Sequence, residues 1–170
     1  MKLAYKSLVV LVMVGLFCSV AMARKAKDVN QSISILIDRN ITQETSNVQS
    51  RNAMADWWEV DLVNVLKRRG GYEAKLIQNL DEFVAGPDTY LLTAKIKDYN
   101  PGSKAARMVV GFGAGSCSMD IHIELFGADN KQIFAKDDHV ASGRDWRNVA
   151  RKLNENTLKA IDEVLNPEEK

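Results

Sequence analysis

The chain has very little cysteine and histidine, and this scarcity excludes several kinds of site. Its 170 residues include two cysteines, Cys18 and Cys117, and two histidines, His122 and His139. A nucleophilic active site needs a serine or cysteine beside a positioned base. Cys117 and His122 lie five positions apart, and because this spacing is odd, a strand would place them on opposite faces. The sequence therefore argues against a cysteine hydrolase and predicts that Cys117 is a small buried residue.

An excess of charge of one sign is also missing. The chain has 23 lysines and arginines against 22 aspartates and glutamates. Proteins that bind nucleic acid or anionic lipid over a broad surface usually carry a clear excess of positive charge. The sequence therefore predicts no nucleic-acid partner.

The first 23 residues have the pattern of a secretory signal peptide. Lys2 and Lys6 give a positive start, Leu8–Phe17 is apolar and uncharged, and Ala21-Met22-Ala23 offers small residues for cleavage. The apolar run is shorter than the roughly 20 residues that a spanning helix needs. We expect cleavage after Ala23 and an exported protein of a Gram-negative bacterium, located in the periplasm with or without association with the outer membrane.

A lipid anchor at Cys18 is the alternative to simple cleavage. A lipidated cysteine normally follows a small residue, whereas Leu16 and Phe17 precede Cys18. The fit is poor, and lipidation of Cys18 stays open. Residues 24–170 are expected to form a single domain, in which Cys117 has no cysteine partner for an internal disulfide.

Hydrophobic periodicity predicts the element order β-α-β-β-β-β-α. Spacings of three to four residues predict helices that start near Ser46 and Asp145 and end at Gly70-Gly71 and Pro167. Trp57 and Val60 are expected to widen the apolar face of the first helix. We predict an α+β two-layer sandwich with a mainly antiparallel sheet of about five strands and two helices on one face. Alternating or clustered apolar residues predict the strands over 32–37, 72–77, 89–99, 115–126 and 132–140.

The most distinctive stretch is rich in glycine and follows the turn signal Asn100-Pro101-Gly102-Ser103. Gly111-x-Gly113-x-Gly115 resembles half of a phosphate-binding loop. It opens a strand instead of a helix, and it lacks the Gly-Lys-Ser/Thr ending of a P-loop. The sequence therefore predicts neither nucleotide binding nor any other cofactor.

Glycines at alternate positions instead allow another backbone to approach closely. In this stretch they are interleaved with Met108, Val109, Val110 and Phe112. Such a segment can dock on a partner, line a cleft, touch a membrane, or pack on its own sheet. The candidate interaction residues are Lys104, Arg107, Met108, Val110, Gly111, Phe112, Gly113 and Gly115.

Asp120, His122 and Glu124 alternate along one predicted strand and are residue types that bind zinc or iron. A solvated sheet face also alternates polar residues in this way. Neighbours on one face lie about 7 Å apart along a strand, which is too far to share an ion without other ligands. We assign no metal site, and a metal-dependent enzyme is the least favoured hypothesis.

Several of these stretches together resemble a known family. The run Asp98-Tyr99-Asn100-Pro101-Gly102-Ser103-Lys104-Ala105-Ala106-Arg107, the later Val110-Gly111-Phe112-Gly113-Ala114-Gly115 and the distant Asp145-Trp146-Arg147 are similar to the bacterial envelope family called domain of unknown function 4410. The resemblance implies a secreted protein or an outer-membrane lipoprotein. It implies no activity and no catalytic residues.

We therefore expect a non-enzymatic accessory or assembly protein of the cell envelope that acts through its glycine-rich segment. The partner would be an envelope protein, a second copy of the chain or a membrane. The alternative is a periplasmic module that binds a small molecule or a lipid.

Overall fold

The computed structural model describes residues 31–42, 47–103 and 115–167, so the predicted signal peptide lies outside the described residues. Two helices and five strands follow the predicted order. A π-helical turn, Leu66–Gly70, extends the first helix, and a short 3-10 helix, Leu80–Glu82, lies between the second and third strands. The main elements are β1 (Ser32–Asp38), α1 (Val48–Val65), β2 (Glu73–Ile77), β3 (Thr89–Asn100), β4 (Cys117–Phe126), β5 (Gln132–Ser142) and α2 (Trp146–Leu165).

Local chemistry sets the helix boundaries. The glycine pair ends α1 as predicted, because Gly71 has a φ of 70°, which glycine adopts without steric cost. Gly70 also has to be small, since a Cβ there would lie 2.6 Å from Leu158 Cδ1. At the start of α2, the Asp145 carboxylate accepts a hydrogen bond of 3.0 Å from the backbone N–H of Asn148. This contact is a side-chain N-cap.

The five strands form one mixed sheet in the order β2-β1-β3-β4-β5. β1 runs parallel to both β2 and β3, whereas β3–β4 and β4–β5 are antiparallel hairpin partners. The predicted sheet was mainly antiparallel, and the pairing of β1 corrects this detail. α1 returns the chain to the end of the sheet where β1 began, so β2 must run parallel to β1. The connection over 78–88 does the same for β3.

One face of the sheet forms the hydrophobic core beneath both helices. On β4, Met119, Ile121, Ile123 and Leu125 are each at most 1% exposed and alternate with half-buried residues, as predicted. The helices contact each other directly, since Asn154 Nδ2 donates to the Trp58 carbonyl at 3.3 Å and to Asp61 Oδ2 at 2.8 Å. The α+β two-layer prediction is confirmed.

One detail of α1 differs from the sequence prediction. Trp58 and Leu62 are fully buried and Trp57 packs partly against the core, but Val60 is 59% exposed. Val60 lies outside the stripe that faces the sheet, so the apolar face is narrower than predicted. Within the described residues, no helix combines the length and apolar composition that crossing a membrane requires.

Replacement of Trp58 by alanine should lower the free energy of unfolding by about 3–5 kcal/mol, because it removes a fully buried indole and leaves a cavity. Urea unfolding followed by circular dichroism measures the change. Val60→Ala on the same helix is the matched control and should shift the free energy by less than about 0.5 kcal/mol. Equal losses in the two variants would contradict the assigned helix orientation.

Candidate functional site

The predicted interaction segment is only partly visible in the structure. Lys104, Arg107, Met108, Val110, Gly111, Phe112 and Gly113 lie outside the described residues, and Gly115 lies inside them. The structure does show how both ends of the segment are held. We call these ends the neck; it consists of 100–103, at the end of β3, and 115–117, at the start of β4.

The neck is closed by one backbone hydrogen bond, a side-chain hydrogen bond supports one of its strands, and glycine stands at two of its positions. Ser103 N donates to the Gly115 carbonyl at 3.0 Å, and Gly102 N donates to Asn100 Oδ1 at 2.9 Å. Gly102 and Gly115 have φ angles of 71° and 69°, a region that side chains disfavour. A Cβ on Gly102 would lie 2.5 Å from the Gly115 carbonyl oxygen. The two strand ends that flank residues 104–114 are therefore held close together.

Substitution of Gly102 by alanine should open the neck, because the methyl group meets backbone atoms and the backbone angle is unfavourable. We expect a loss of about 1–3 kcal/mol in the free energy of unfolding, measured by urea denaturation. Gly143→Ala is the control, since a Cβ there meets nothing within 4 Å. A Gly102→Ala variant as stable as Gly143→Ala would show that the neck tolerates a side chain.

The first helix is fastened to the strand that enters the neck. Arg51 is 8% exposed, and its Nη2 donates to the Ile96 carbonyl on β3 at 3.1 Å. Its Nε donates to the Arg39 carbonyl after β1 at 3.0 Å. Burial raises the pKa of the Tyr99 hydroxyl, and a side-chain hydrogen bond with Ser50 partly opposes that rise. The neck thus lies at an end of the sheet where Arg51 ties α1 to β3 and to the residue after β1.

The second helix begins at the same end, because β5 finishes there and leads directly into it. Trp146, its first residue, packs edge-on against Trp57 of α1 with ring centroids 5.8 Å apart. The Arg147 guanidinium lies 4.8 Å from the centre of the Trp146 ring. Cys117 of the neck is 1% exposed, and its Sγ lies 3.3 Å from the Ser142 carbonyl. Its prediction as a small buried residue is confirmed.

The opposite face of β3–β5, which we call the open face, carries the polar residues of β4. Register places Asp120 opposite His139 and His122 opposite Asp137. His122 Nδ1 lies 2.8 Å from Asp137 Oδ1, and His139 Nδ1 contacts Asp120 Oδ1. These four residues form what we call the His–Asp quartet. Cys117 and His122 lie on opposite faces of the sheet, as the odd spacing predicts.

The quartet gives Asp120 and His122, two residues of the metal hypothesis, different cross-strand partners. Asp120 pairs with His139, whereas His122 contacts Asp137 and lies 3.6 Å, Nε2 to Oε1, from Glu124. In the ranges 31–42, 47–103 and 115–167, no three histidine, cysteine or carboxylate side chains are arranged to hold a metal ion. The spacing of Asp120, His122 and Glu124 along β4 reflects a solvated sheet face with cross-strand partners.

Sequence reasoning missed the part that β5 plays on this face. His139 was given no role, and Asp137 was not singled out. Pairing positions across a hairpin follow from its register, which is set by the turn over 127–131 and by the irregularity between Leu125 and Phe126. The alternation of apolar and polar residues along β4 could be predicted from the sequence. Its cross-strand partners could be identified only once that register was known.

Asp137 is electrostatically perturbed on this face. The hydrogen bond from His122 lowers the pKa of the Asp137 carboxyl, and the contact with Lys97 Nζ at 3.3 Å lowers it further. Lys97 reaches across β4 from the position where the register of β3 shifts between Ile96 and Asp98. The three side chains therefore connect β3, β4 and β5.

Acid should remove the stabilisation that Asp137 provides. Because its pKa is lower in the folded state, the contribution is present above the unfolded pKa and is lost as the pH falls through the folded pKa. Asp137→Asn should therefore be less stable than the wild type at about pH 6 and should approach it at about pH 2.5. Thermal unfolding at both pH values measures the difference, and a difference of the same size at both would contradict the assignment.

The architecture defines a class of small α+β protein in which two helices cover one face of a five-stranded mixed sheet. The chain belongs to the family described as Domain of unknown function (DUF4410), whose profile matches residues 22–143. The family resemblance inferred from the sequence is confirmed. A comparison with curated proteins finds no match.

Solved structures with a similar fold have very different sequences. The PelC dodecamer from Paraburkholderia phytofirmans is 11% identical with a TM-score of 0.50, covering 75% of this chain and 86% of its own. A putative neuraminyllactose-binding hemagglutinin homolog from Helicobacter pylori is 10% identical with a TM-score of 0.44, covering 84% and 87%. At these identities the similarity to PelC shows the fold alone, and the weaker match carries no argument.

Proposed function

We propose that this protein is an exported, non-enzymatic accessory or assembly protein that acts through protein contacts of residues 104–115. The observation that carries the proposal is the neck, where two glycines at positive φ hold both ends of the segment in fixed positions. Its sequence interleaves glycines with Met108, Val109, Val110 and Phe112. Apolar side chains in a segment whose two flanks are held close together are suited to burial against another surface.

Export rests on the amino-terminal pattern. Lys2 and Lys6, the apolar run Leu8–Phe17 and Ala21-Met22-Ala23 together form a secretory signal. We propose the periplasm as the destination, with or without association with the outer membrane. Lys104 and Arg107 would supply polar anchoring for the contact, and Met108, Val110 and Phe112 would supply the buried area.

The partner that we favour is a second copy of this chain. The structurally similar PelC is a dodecamer, which supports a fold of this kind forming assemblies from copies of one chain. Two depressions among the described residues do not resemble the site that the alternative, a lipid-binding module, would need. Two surface depressions of about 350 Å³ each are lined mainly by charged side chains, including Lys97, Asp98 and Asp120 in one and Arg69 and Glu155 in the other. Lipid sites are mostly apolar.

Phe112→Asp should weaken the association, because it places a charge where we propose that an aromatic ring is buried. Size-exclusion chromatography with light scattering should show a smaller species than the wild type at the same concentration. Val84→Asp is the matched control, since Val84 is 73% exposed on the 78–88 connection and should tolerate the charge.

Circular dichroism must show that both variants are folded. If the wild type is monomeric, the test becomes retention of an envelope protein on immobilised wild type, with loss on Phe112→Asp and no loss on Val84→Asp. A folded Phe112→Asp variant with unchanged association in both assays would overturn the proposal.

A further inference from the structure

The two histidines of the chain lie on the open face, at diagonal positions of β4 and β5. His122 is opposite Asp137 and His139 is opposite Asp120 in the strand register. Directly opposite residues in an antiparallel pair have Cβ atoms about 4.5–5.5 Å apart, close enough for their side chains to interact. Each imidazole accordingly contacts the carboxylate of the neighbouring strand.

The charge of this face changes when the histidines gain protons. With both imidazoles neutral, two lysines oppose four carboxylates, which leaves a net charge of −2. With both imidazoles charged, the face is neutral. Histidine is the side chain that ordinarily changes charge between about pH 5 and 8. The charged groups that face the histidines are Lys95, Lys97 and Asp98 on β3, Asp120 and Glu124 on β4, and Asp137 on β5.

The strand that would respond to this change is β5. It lies at the edge of the sheet that the described residues form, and β4 is its only neighbour among those strands. On its helix-facing side Val140 is buried and Phe134 packs partly against the core, whereas Lys136 is exposed. Asp138 is half-buried there and accepts a hydrogen bond of 2.8 Å from Asn156 Nδ2 of α2. The cross-strand contacts on the open face add to this packing and to the backbone ladder between β4 and β5.

We propose that the His–Asp quartet is a pH-dependent fastening of the edge strand β5. Protonation of His122 and His139 converts each contact into an ion pair across the β4–β5 hairpin. β5 is then held more tightly at mildly acidic pH and is released more readily as the pH rises above neutrality. The lowered pKa of Asp137 is consistent with this, because it keeps that carboxylate charged through the mildly acidic range.

Amide hydrogen exchange at about pH 5.5 and about pH 8 tests the proposal. The protection factors of the β5 amides should be about two- to fivefold higher at the lower pH, the range that exposed ion pairs provide. Amides in the β1–β2 ladder, on the other side of β3, are the internal control and should show no such ratio.

Two double variants separate ion pairing from general effects of pH. His122→Gln with His139→Gln removes the titrating groups, and Asp120→Asn with Asp137→Asn keeps both imidazoles but removes their partners. Each should abolish the pH dependence of β5 protection. If either variant keeps the wild-type dependence, or if the wild-type β5 shows none, the proposal is wrong.

Discussion

The burial of one sheet face beneath two helices is the interaction on which the rest of this structure depends. The apolar residues of β4 alternate with polar ones, and α1 and α2 exclude water from the apolar side. At about 25 cal/mol for each Å² of apolar surface removed from water, this contact is the largest favourable contribution to folding. The polar contacts between elements occur around it, as Asn154 shows by linking α2 to the backbone and side chains of α1.

The two ends of the covered sheet differ in the elements that they carry. The neck, the start of α1 and the start of α2 all lie at one end. Arg51 ties α1 to β3 there, and Trp57 packs against Trp146 between the helices. The glycine-rich segment is thus attached where three elements are fastened together. The 78–88 connection, which carries the exposed Val84, instead runs from this end back to the start of β3.

The two faces of the sheet divide the chemistry of the protein between them. The covered face is apolar and holds Cys117 as a buried thiol beside the Ser142 carbonyl. The open face is rich in charge, and its contacts run across strands instead of converging on a single point. This distribution accounts for the absence of a converging metal-ligand set among the described residues.

The sequence by itself determined the element order, the inward residues of β4 and the glycine ends of α1, because these depend on local periodicity and backbone angles. It also contains the motifs that predicted the family and the pattern of a signal peptide. The tertiary structure decided that β1 lies parallel to both β2 and β3, that Val60 points to solvent, and that His139 meets Asp120. Those features depend on contacts between residues far apart in the chain, and local periodicity does not specify which strands become neighbours or in what register.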